Sequence, residues 1–245
     1  MKIHVGCCGL PVGLKKYAKI FDCVEINKTF YKLPKLETAK KWRNVTPKNF
    51  IFCVKCFQGV THPTSSPTWR RYGEIEGKKE NYGNFQDTEE VRDSWKRTYE
   101  FCKALGARIC LIQTPKRFKD TEENMKNVEK FFRKIERKDL EIAIEFRGWD
   151  EKNIKKICKK FKLIEAVDPF SKMPSILTKT IYFRLHGSPP GKKMYSYKYT
   201  PNDLKILLEK IRSLKKPVKE VFVFFNNVYM KDDANNFKKL VERYL

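Results

Sequence analysis

The sequence predicts a single (β/α)8 barrel of the TIM type, an α/β fold. Eight short apolar runs, most of them rich in β-branched and aromatic residues, alternate with stretches of helical periodicity, as a parallel sheet with connecting helices requires. Seven of these runs stop on a polar or charged residue, and in this fold the carboxyl ends of the strands carry the active site. The length of 245 residues suits one barrel, so we expect one domain over residues 1–245.

Strands and helices are predicted in order along the whole chain. The predicted strands are residues 3–8, 21–27, 50–56, 108–113, 140–146, 163–168, 180–186 and 220–227. The predicted helices are residues 13–20, 36–45, 88–106, 120–137, 150–161, 200–216 and 232–245, and Gly106 is expected to end the third of them as a C-cap. Two connections differ from the rest: residues 58–87 form a long loop after the third strand, and residues 169–178 are too few for a full helix before the seventh.

Side chains along a strand alternate between its faces, so residues two apart point the same way. The same-face pairs at the strand ends are Glu25 with Asn27, Cys53 with Lys55, Glu145 with Arg147, Ala166 with Asp168, and Arg184 with His186. A buried charge without a partner is costly, so we expect the charged members to neutralise one another or to bind a ligand or metal. The structural alternative is an internal salt-bridge network that caps the barrel.

The charge balance favours a polyanionic partner. The chain has 53 basic and 29 acidic residues, a net charge of +24, and its isoelectric point is near 9.7. Nucleic acid or another phosphate-bearing anionic ligand is therefore the expected partner. The alternative is that many of the lysines form the solvated faces of barrel helices, as in residues 152–162.

Hydropathy and cysteine content indicate a cytoplasmic protein with no membrane partner. Mean hydropathy is −0.61, and no apolar run approaches the roughly 18 residues that span a bilayer. No signal-peptide pattern is seen at the N-terminus. The eight cysteines fit reduced core thiols better than a disulfide framework.

Six segments together resemble the DUF72 family, the YecE-like proteins of largely unassigned function. They are VEINKTFYKLP (24–34), FIFCVKCFQGVTH (50–62), LIQTPKRF (111–118), EFRGWD (145–150), YFRLHG (182–187) and FFNN (224–227). The resemblance implies a TIM-type barrel. It places Glu25, Asn27, Lys55, His62, Gln113, Glu145, Arg147, Asp168, Arg184, His186 and Asn227 on the family's motif positions. The chain has Gly6-Cys7-Cys8-Gly9-Leu10 where the family usually has a Gly-Thr-Ser-Gly-Trp type of segment, so a hydroxyl or aromatic role at this point is not carried over.

Two loops are candidates for ligand contact. The loop 58–87 carries His62 and mixes aromatic with cationic side chains, as a lid that binds a nucleic-acid strand would; the alternative is a packed Ω-loop. These side chains are Trp69, Arg70, Arg71, Tyr72, Lys78, Lys79 and Tyr82. The loop 186–200 follows the seventh strand, where TIM barrels often bind phosphate, and its candidates are Gly187, Ser188, Lys192, Lys193, Tyr195 and Tyr197.

A metal ion is considered because carboxylate and imidazole ligands end several strands. Glu145, Asp168 and His186 could bind Mg²⁺ or Mn²⁺, and no organic cofactor is expected. The chain has only three histidines, so a multi-histidine zinc cluster is excluded. A metal-free site and a single carboxylate-bound Mg²⁺ or Mn²⁺ both remain open.

The leading hypothesis is a hydrolase of phosphodiester bonds, a nuclease acting on DNA or RNA. Glu145 or Asp168 would hold the metal or act as base, His186 would be the acid or a ligand, and Lys55, Arg147 and Arg184 would stabilise phosphoryl charge. The expected substrate-binding residues are Glu25, Asn27, His62, Gln113, Lys192, Lys193, Tyr195 and Asn227. The alternatives are an isomerase or lyase for a small anionic metabolite such as a sugar phosphate, with Lys55 as clamp or Schiff-base amine, and a non-catalytic nucleic-acid-binding protein.

Overall fold

Eight parallel strands form one sheet in a computed structural model that describes residues 1–188 and 193–244. The strands are β1 (Lys2–Cys7), β2 (Cys23–Ile26), β3 (Ile51–Lys55), β4 (Ala107–Gln113), β5 (Glu141–Glu145), β6 (Ile164–Val167), β7 (Thr180–Leu185) and β8 (Glu220–Phe225). Their order is β1-β8-β7-β6-β5-β4-β3-β2, and a parallel bridge between Cys8 and Glu25 joins the residue after β1 to β2. This order, with alternating helices, is that of a (β/α)8 barrel, and the predicted fold class is confirmed.

The helices agree with the sequence prediction except at one point. In the described residues they are α1 (Leu14–Tyr17), α2 (Lys28–Tyr31), α3 (Leu36–Asn44), α4 (Glu89–Leu105), α5 (Glu122–Lys134), α6 (Glu151–Phe161), α7 (Pro201–Arg212) and α8 (Met230–Tyr244). The short helix α2 was not predicted, because four residues are too few to show a helical period. The connection between β6 and β7 contains no helix, as predicted, and none of the helices in the described ranges is long and apolar enough to cross a membrane.

The described residues group into two compact units, each built from separate parts of the chain. The first unit contains Met1–Glu25, Val45–Ile51 and Ile164–Leu245, and the second contains Ile26–Asn44 and Phe52–Leu163. The single domain expected from the length stays a prediction.

A buried tyrosine holds the first two strands of the first unit together. The hydroxyl of Tyr17, on α1, accepts a hydrogen bond from the Cys7 backbone N–H (2.8 Å) and donates one to the Cys23 carbonyl (3.0 Å). All eight cysteines are buried and none forms a disulfide, as expected for core thiols. Burial raises the pKa of the Cys7 thiol to about 12, so this thiol is a packing group and not a nucleophile.

The long amphipathic helix α4 of the second unit has both of its ends capped. Thr88 accepts a hydrogen bond from the Val91 N–H at the start, and Gly106 ends the helix in the left-handed conformation with φ of 65°. The predicted C-cap is confirmed, since only glycine adopts this backbone conformation without steric cost.

Replacing Gly106 by alanine should lower the free energy of unfolding by about 1 kcal/mol, because a Cβ atom disfavours the left-handed conformation. A Cβ there would meet only Arg43 Cδ at an ordinary 3.5 Å, so the backbone is the sole source of the loss. Urea denaturation measures it. Gly13→Ala is the matched control, since Gly13 has an ordinary φ of −55° and open space around it. Equal stability changes in the two variants would contradict the prediction.

Candidate functional site

A buried lysine lies at the end of β3 in the second unit. Lys55 is 8% exposed, and its Nζ donates to Gln113 Oε1 at 2.9 Å and lies 4.1 Å from the centre of the Phe30 ring. Phe30 belongs to α2, which Thr29 fastens through hydrogen bonds of its hydroxyl to the carbonyls of Ile26 and Lys55, both 2.7 Å. The ammonium group is thus held by an amide oxygen and an aromatic face, both of which stabilise a cation.

The amide nitrogen of Gln113 has no hydrogen-bond partner among the described residues, although the residue is only 6% exposed. Reversing the amide would place its NH2 group against the Lys55 ammonium, donor against donor, so the contact with Lys55 fixes the orientation. A buried donor without an acceptor costs about 1–3 kcal/mol. The Lys55–Gln113 pair therefore offers an ammonium and an unsatisfied N–H to a ligand oxygen.

The end of β5 adds a carboxylate and a guanidinium. Gln113 and Glu145 are register partners at the ends of β4 and β5. Arg147 Nε lies 2.6 Å from Glu145 Oε1, and the Arg147 backbone N–H donates to Thr114 Oγ1 at 3.1 Å. The predicted same-face pairing of Glu145 with Arg147 is confirmed by this contact. We call Lys55, His62, Gln113, Glu145 and Arg147 the Lys55 cluster.

The imidazole of His62 is kept neutral. It packs edge-on against the Phe30 ring at 4.9 Å, and its Nδ1 is 2.7 Å from Thr61 Oγ1. Burial, with further contributions from the charges of Lys55 and Arg147, lowers the pKa of His62 to about 3. His62 is therefore uncharged at neutral pH and is a hydrogen-bonding group and not a third cation of the cluster.

The long loop 58–87 is packed by its own aromatic residues. Trp69 is 3% exposed, contacts the rings of Phe57, Tyr72 and Tyr82, and donates from Nε1 to the His62 carbonyl at 3.0 Å. Trp69 is thus a loop anchor that positions the His62 backbone, and a role of the loop in binding a nucleic-acid strand stays a prediction. The packed Ω-loop alternative describes this part of the loop.

In the first unit, Glu25 and Arg184 form a buried ion pair. Glu25 is 0% and Arg184 1% exposed; Arg184 Nη2 lies 2.8 Å from Glu25 Oε1, and Nε lies 3.0 Å from Oε2. The Tyr182 hydroxyl also donates to Glu25 Oε2 at 2.8 Å. The expectation that the buried charges neutralise one another holds for this pair, and the geometry is the bidentate fork that favours arginine.

Asp168 and His186 are joined through the backbone. One carboxylate oxygen of Asp168 accepts from the His186 N–H at 2.9 Å, and the other accepts from the Phe170 N–H at 3.0 Å. The His186 ring places Nδ1 2.9 Å from Asn226 Nδ2. An amide NH2 group can donate to Nδ1 when the imidazole is neutral and carries its proton on Nε2.

Asn226, and not Asn227, is the asparagine that contacts His186. Asn227 donates from Nδ2 to Asp233 Oδ2 (2.6 Å) and to the Tyr197 carbonyl (2.7 Å), so it fastens the loop 186–200 to α8. Asn227 is one of the predicted substrate-binding residues, whereas Asn226 is missing from them. The β7–β8 register could have identified it, because Arg184 pairs with Phe224 and two residues further His186 meets Asn226.

The loop 186–200 is described only in part. Lys192, a predicted phosphate ligand, lies outside the described residues, and Lys193 is exposed. Tyr195 is 38% exposed and meets the His186 ring edge-on at 5.7 Å. Gly187 has φ of 101°, and a Cβ there would lie 1.9 Å from the Met194 carbonyl oxygen, so the loop requires glycine at its start. Asn27 lies at the start of α2.

The proposed metal ligands do not fit a three-ligand centre. Across residues 1–188 and 193–244, no group of three or more His, Cys, Asp or Glu side chains could hold a metal ion. Both carboxylate oxygens of Asp168 accept backbone N–H groups, and Glu145 is paired with Arg147. A divalent ion held through one carboxylate stays a prediction, and no catalytic step is assigned to it.

The fold and its strand-end residues define an α/β barrel with buried ionic side chains at the ends of its strands. The family model described as protein of unknown function DUF72 matches residues 9–244, and the chain belongs to this family. The UPF0759 protein YunF of Bacillus subtilis is 26% identical, with 94% of this chain and 85% of YunF covered. The UPF0759 protein YecE of Escherichia coli K12 is 45% identical over 50 residues, 20% of this chain and 18% of YecE.

Solved structures support the same fold. A DUF72 family protein from Enterococcus faecalis V583 matches with a TM-score of 0.74 at 23% identity, covering 98% of each chain. More distant barrels include endonuclease IV from Thermus thermophilus, with a TM-score of 0.53 at 10% identity over 99% of this chain and 100% of that one. A D-psicose 3-epimerase matches with a TM-score of 0.55 at 11% identity over 94% and 91%.

Arg184→Met should lower the free energy of unfolding by about 3–5 kcal/mol, because it leaves the Glu25 carboxylate buried without its cation. The double variant Glu25→Leu, Arg184→Met should recover part of this loss, since neither charge is then buried. Urea denaturation of both variants and of the single variant Glu25→Leu tests this. If the double variant loses as much as the two single losses together, the ion pair is not the source.

His62 should titrate far below the usual histidine pKa of about 6.5. Because the folded protein holds the pKa of His62 at about 3, protonation favours the unfolded chain. Its contribution to stability is complete above pH 6.5 and falls by about 1.4 kcal/mol per pH unit towards pH 3. NMR titration of the three imidazoles measures this pKa.

Lys55→Met should raise the pKa of His62 only part of the way towards the usual histidine value, because burial is the larger cause of the low pKa. Lys155→Met, an exposed lysine on α6, is the control and should leave it unchanged. A His62 that titrates near 6.5 in the unmodified protein would contradict both expectations.

Proposed function

We propose that this protein hydrolyses phosphodiester bonds, with the Lys55 cluster binding the phosphoryl group. The observation that carries the proposal is the buried Lys55–Gln113 pair, in which an ammonium lies beside an amide N–H that has no acceptor among the described residues. A phosphoryl oxygen can accept from this N–H and carries the negative charge that an ammonium attracts.

Each member of the cluster has a role in such a reaction. Water attacks phosphorus, Glu145 takes the proton of the water, and the bond to the leaving oxygen breaks. Lys55, Gln113 and Arg147 offset the negative charge that develops on the phosphoryl oxygens. Neutral His62 adds a hydrogen-bonding group without another charge. The leaving oxygen takes a proton from solvent water, and the expected role of His186 as the acid stays a prediction.

Two wider features support this function. The net charge of +24 attracts a polyanion and increases its rate of association. Endonuclease IV is among the barrels of similar fold, although at 10% identity this likeness concerns the fold alone.

A second candidate is an isomerase or lyase for a small anionic metabolite. Lys55, His62, Gln113 and Glu145 are each less than a tenth exposed, as in sites that enclose a small ligand. A sugar epimerase is among the barrels of similar fold. The contacts of Lys55 with Gln113 and Phe30 are those of an ammonium, which favours a clamp for an anion over a Schiff-base amine.

The test is cleavage of labelled single- and double-stranded DNA and RNA, with and without Mg²⁺ or Mn²⁺. Gln113→Leu removes the N–H donor and should lower kcat/KM by about 100-fold or more, the effect of deleting one oxyanion donor. Glu145→Gln should lower kcat and leave substrate binding intact. Lys155→Met is the control for a change in charge.

Cleavage that survives in Asp168→Asn, His186→Ala and Gln113→Leu alike comes from a contaminating nuclease. With no cleavage, a small phosphorylated sugar that protects the protein against heat, and fails to protect Gln113→Leu, would favour the second candidate. Salt-sensitive binding of nucleic acid without turnover would favour a non-catalytic nucleic-acid-binding protein.

A further inference from the structure

A basic groove lies beside α2 in the second unit. It has a volume of about 470 Å³ and is lined by Lys28, Tyr31, Lys32, Leu33, Pro34, Lys35 and Arg71. The segment Lys32 to Lys35 follows α2, and Arg71 comes from the long loop after β3. Its lining thus contains four cations and no acidic side chain.

The four cations of this basic groove have no acidic partner within residues 1–188 and 193–244, where none of them lies within ion-pair distance of a carboxylate. Two of them lie over aromatic rings: Lys28 Nζ is 4.4 Å from the centre of the Trp42 ring, and the Arg71 guanidinium is 4.6 Å from that of Tyr31. Close like charges repel one another, so an anion in the groove would relieve this repulsion.

Two adjacent aromatic residues connect the basic groove to the Lys55 cluster. The Tyr31 ring meets the Phe30 ring edge-on at 5.1 Å, and Phe30 carries the Lys55 ammonium on its face. The Tyr31 carbonyl accepts from Gln58 Nε2 at 3.3 Å, which fastens α2 to the chain after β3. The groove is therefore held in place next to the residues proposed to bind the phosphoryl group.

We propose that the basic groove binds the backbone of a single-stranded nucleic acid next to the phosphodiester bond that is hydrolysed. This inference rests on the proposed function and names its substrate class. Lys32, Lys35 and Arg71 would contact successive phosphates, because flexible cationic side chains along a groove follow a backbone without reading its sequence.

The apolar part of the lining favours a single strand. Tyr31, Leu33 and Pro34 place carbon surface between the cations, where an unpaired base or sugar can pack. In a duplex the base faces are stacked and inaccessible to such side chains. A polyphosphate without bases would use only the cations.

The test compares two double variants with equal loss of charge. Lys32→Ala, Lys35→Ala removes two groove cations, and Lys155→Ala, Lys159→Ala removes two exposed cations on α6. Binding of a fluorescent 12-nucleotide single strand is measured from 50 to 300 mM salt. The same titration is made with a duplex of the same sequence and with polyphosphate of equal charge.

The groove variant should bind roughly 25-fold more weakly at 0.1 M salt, with a slope of log K against log salt that is smaller by about 1.4, since each single-strand phosphate contact contributes about 0.7. The α6 variant should bind like the unmodified protein. Equal weakening in both variants, or no binding of the single strand, overturns the proposal. Equally tight binding of the duplex or of polyphosphate also overturns it.

Cleavage is followed in the same samples, so the two proposals can fail separately. If binding depends on the groove cations but no cleavage occurs, the proposed hydrolysis is refuted and the proposed binding by the groove stands. If the groove and α6 variants cleave the strand with the same KM, the proposed binding by the groove is refuted and the proposed hydrolysis stands.

Discussion

The buried ion pair between Glu25 and Arg184 is the constraint on which the first unit depends. A carboxylate with no exposed surface cannot remain ionised without donors, and Arg184 together with the Tyr182 hydroxyl supplies them. Arg184 and Tyr182 both come from β7, while the backbone carbonyl of Glu25 accepts the Gly9 N–H at 2.8 Å. Glu25 thus connects β2 both to β7 and to the chain that follows β1. The need to stabilise one buried carboxylate therefore holds these strand ends together.

The second unit meets the same requirement in a different way. Lys55 contacts an amide oxygen and an aromatic face, and Glu145 contacts Arg147, so these charges are stabilised by separate contacts and not by one bidentate ion pair. The Gln113 amide nitrogen has no acceptor within the part of the chain that the structure describes. Glu25 and Arg184 are thus a stabilising pair, whereas the Lys55 cluster has capacity for a ligand.

Much of this arrangement follows from the sequence alone, because strand parity and barrel topology are local rules. They predict the eight strands, seven of the eight α-helices in the described residues, and the pairing of Glu145 with Arg147. They do not identify partners across strands. The contact of Lys55 with Phe30 depends on α2, whose four residues show no period, and that of His186 with Asn226 depends on the β7–β8 register. Trp69 shows the same limit, because an aromatic residue in a loop looks alike in sequence whether it anchors the loop or binds a ligand.

Trp69 also determines how the loop 58–87 can move. Burying an indole removes about 150–250 Å² from water, which stabilises the packed loop by about 4–6 kcal/mol as an upper figure. Even at the lower end of this range, an opened loop would be present in only about one molecule in a thousand. His62 is held by the same anchor, since its carbonyl accepts the indole N–H. The burial of Trp69 therefore opposes opening of this part of the loop and keeps the His62 backbone in place beside the Lys55 cluster.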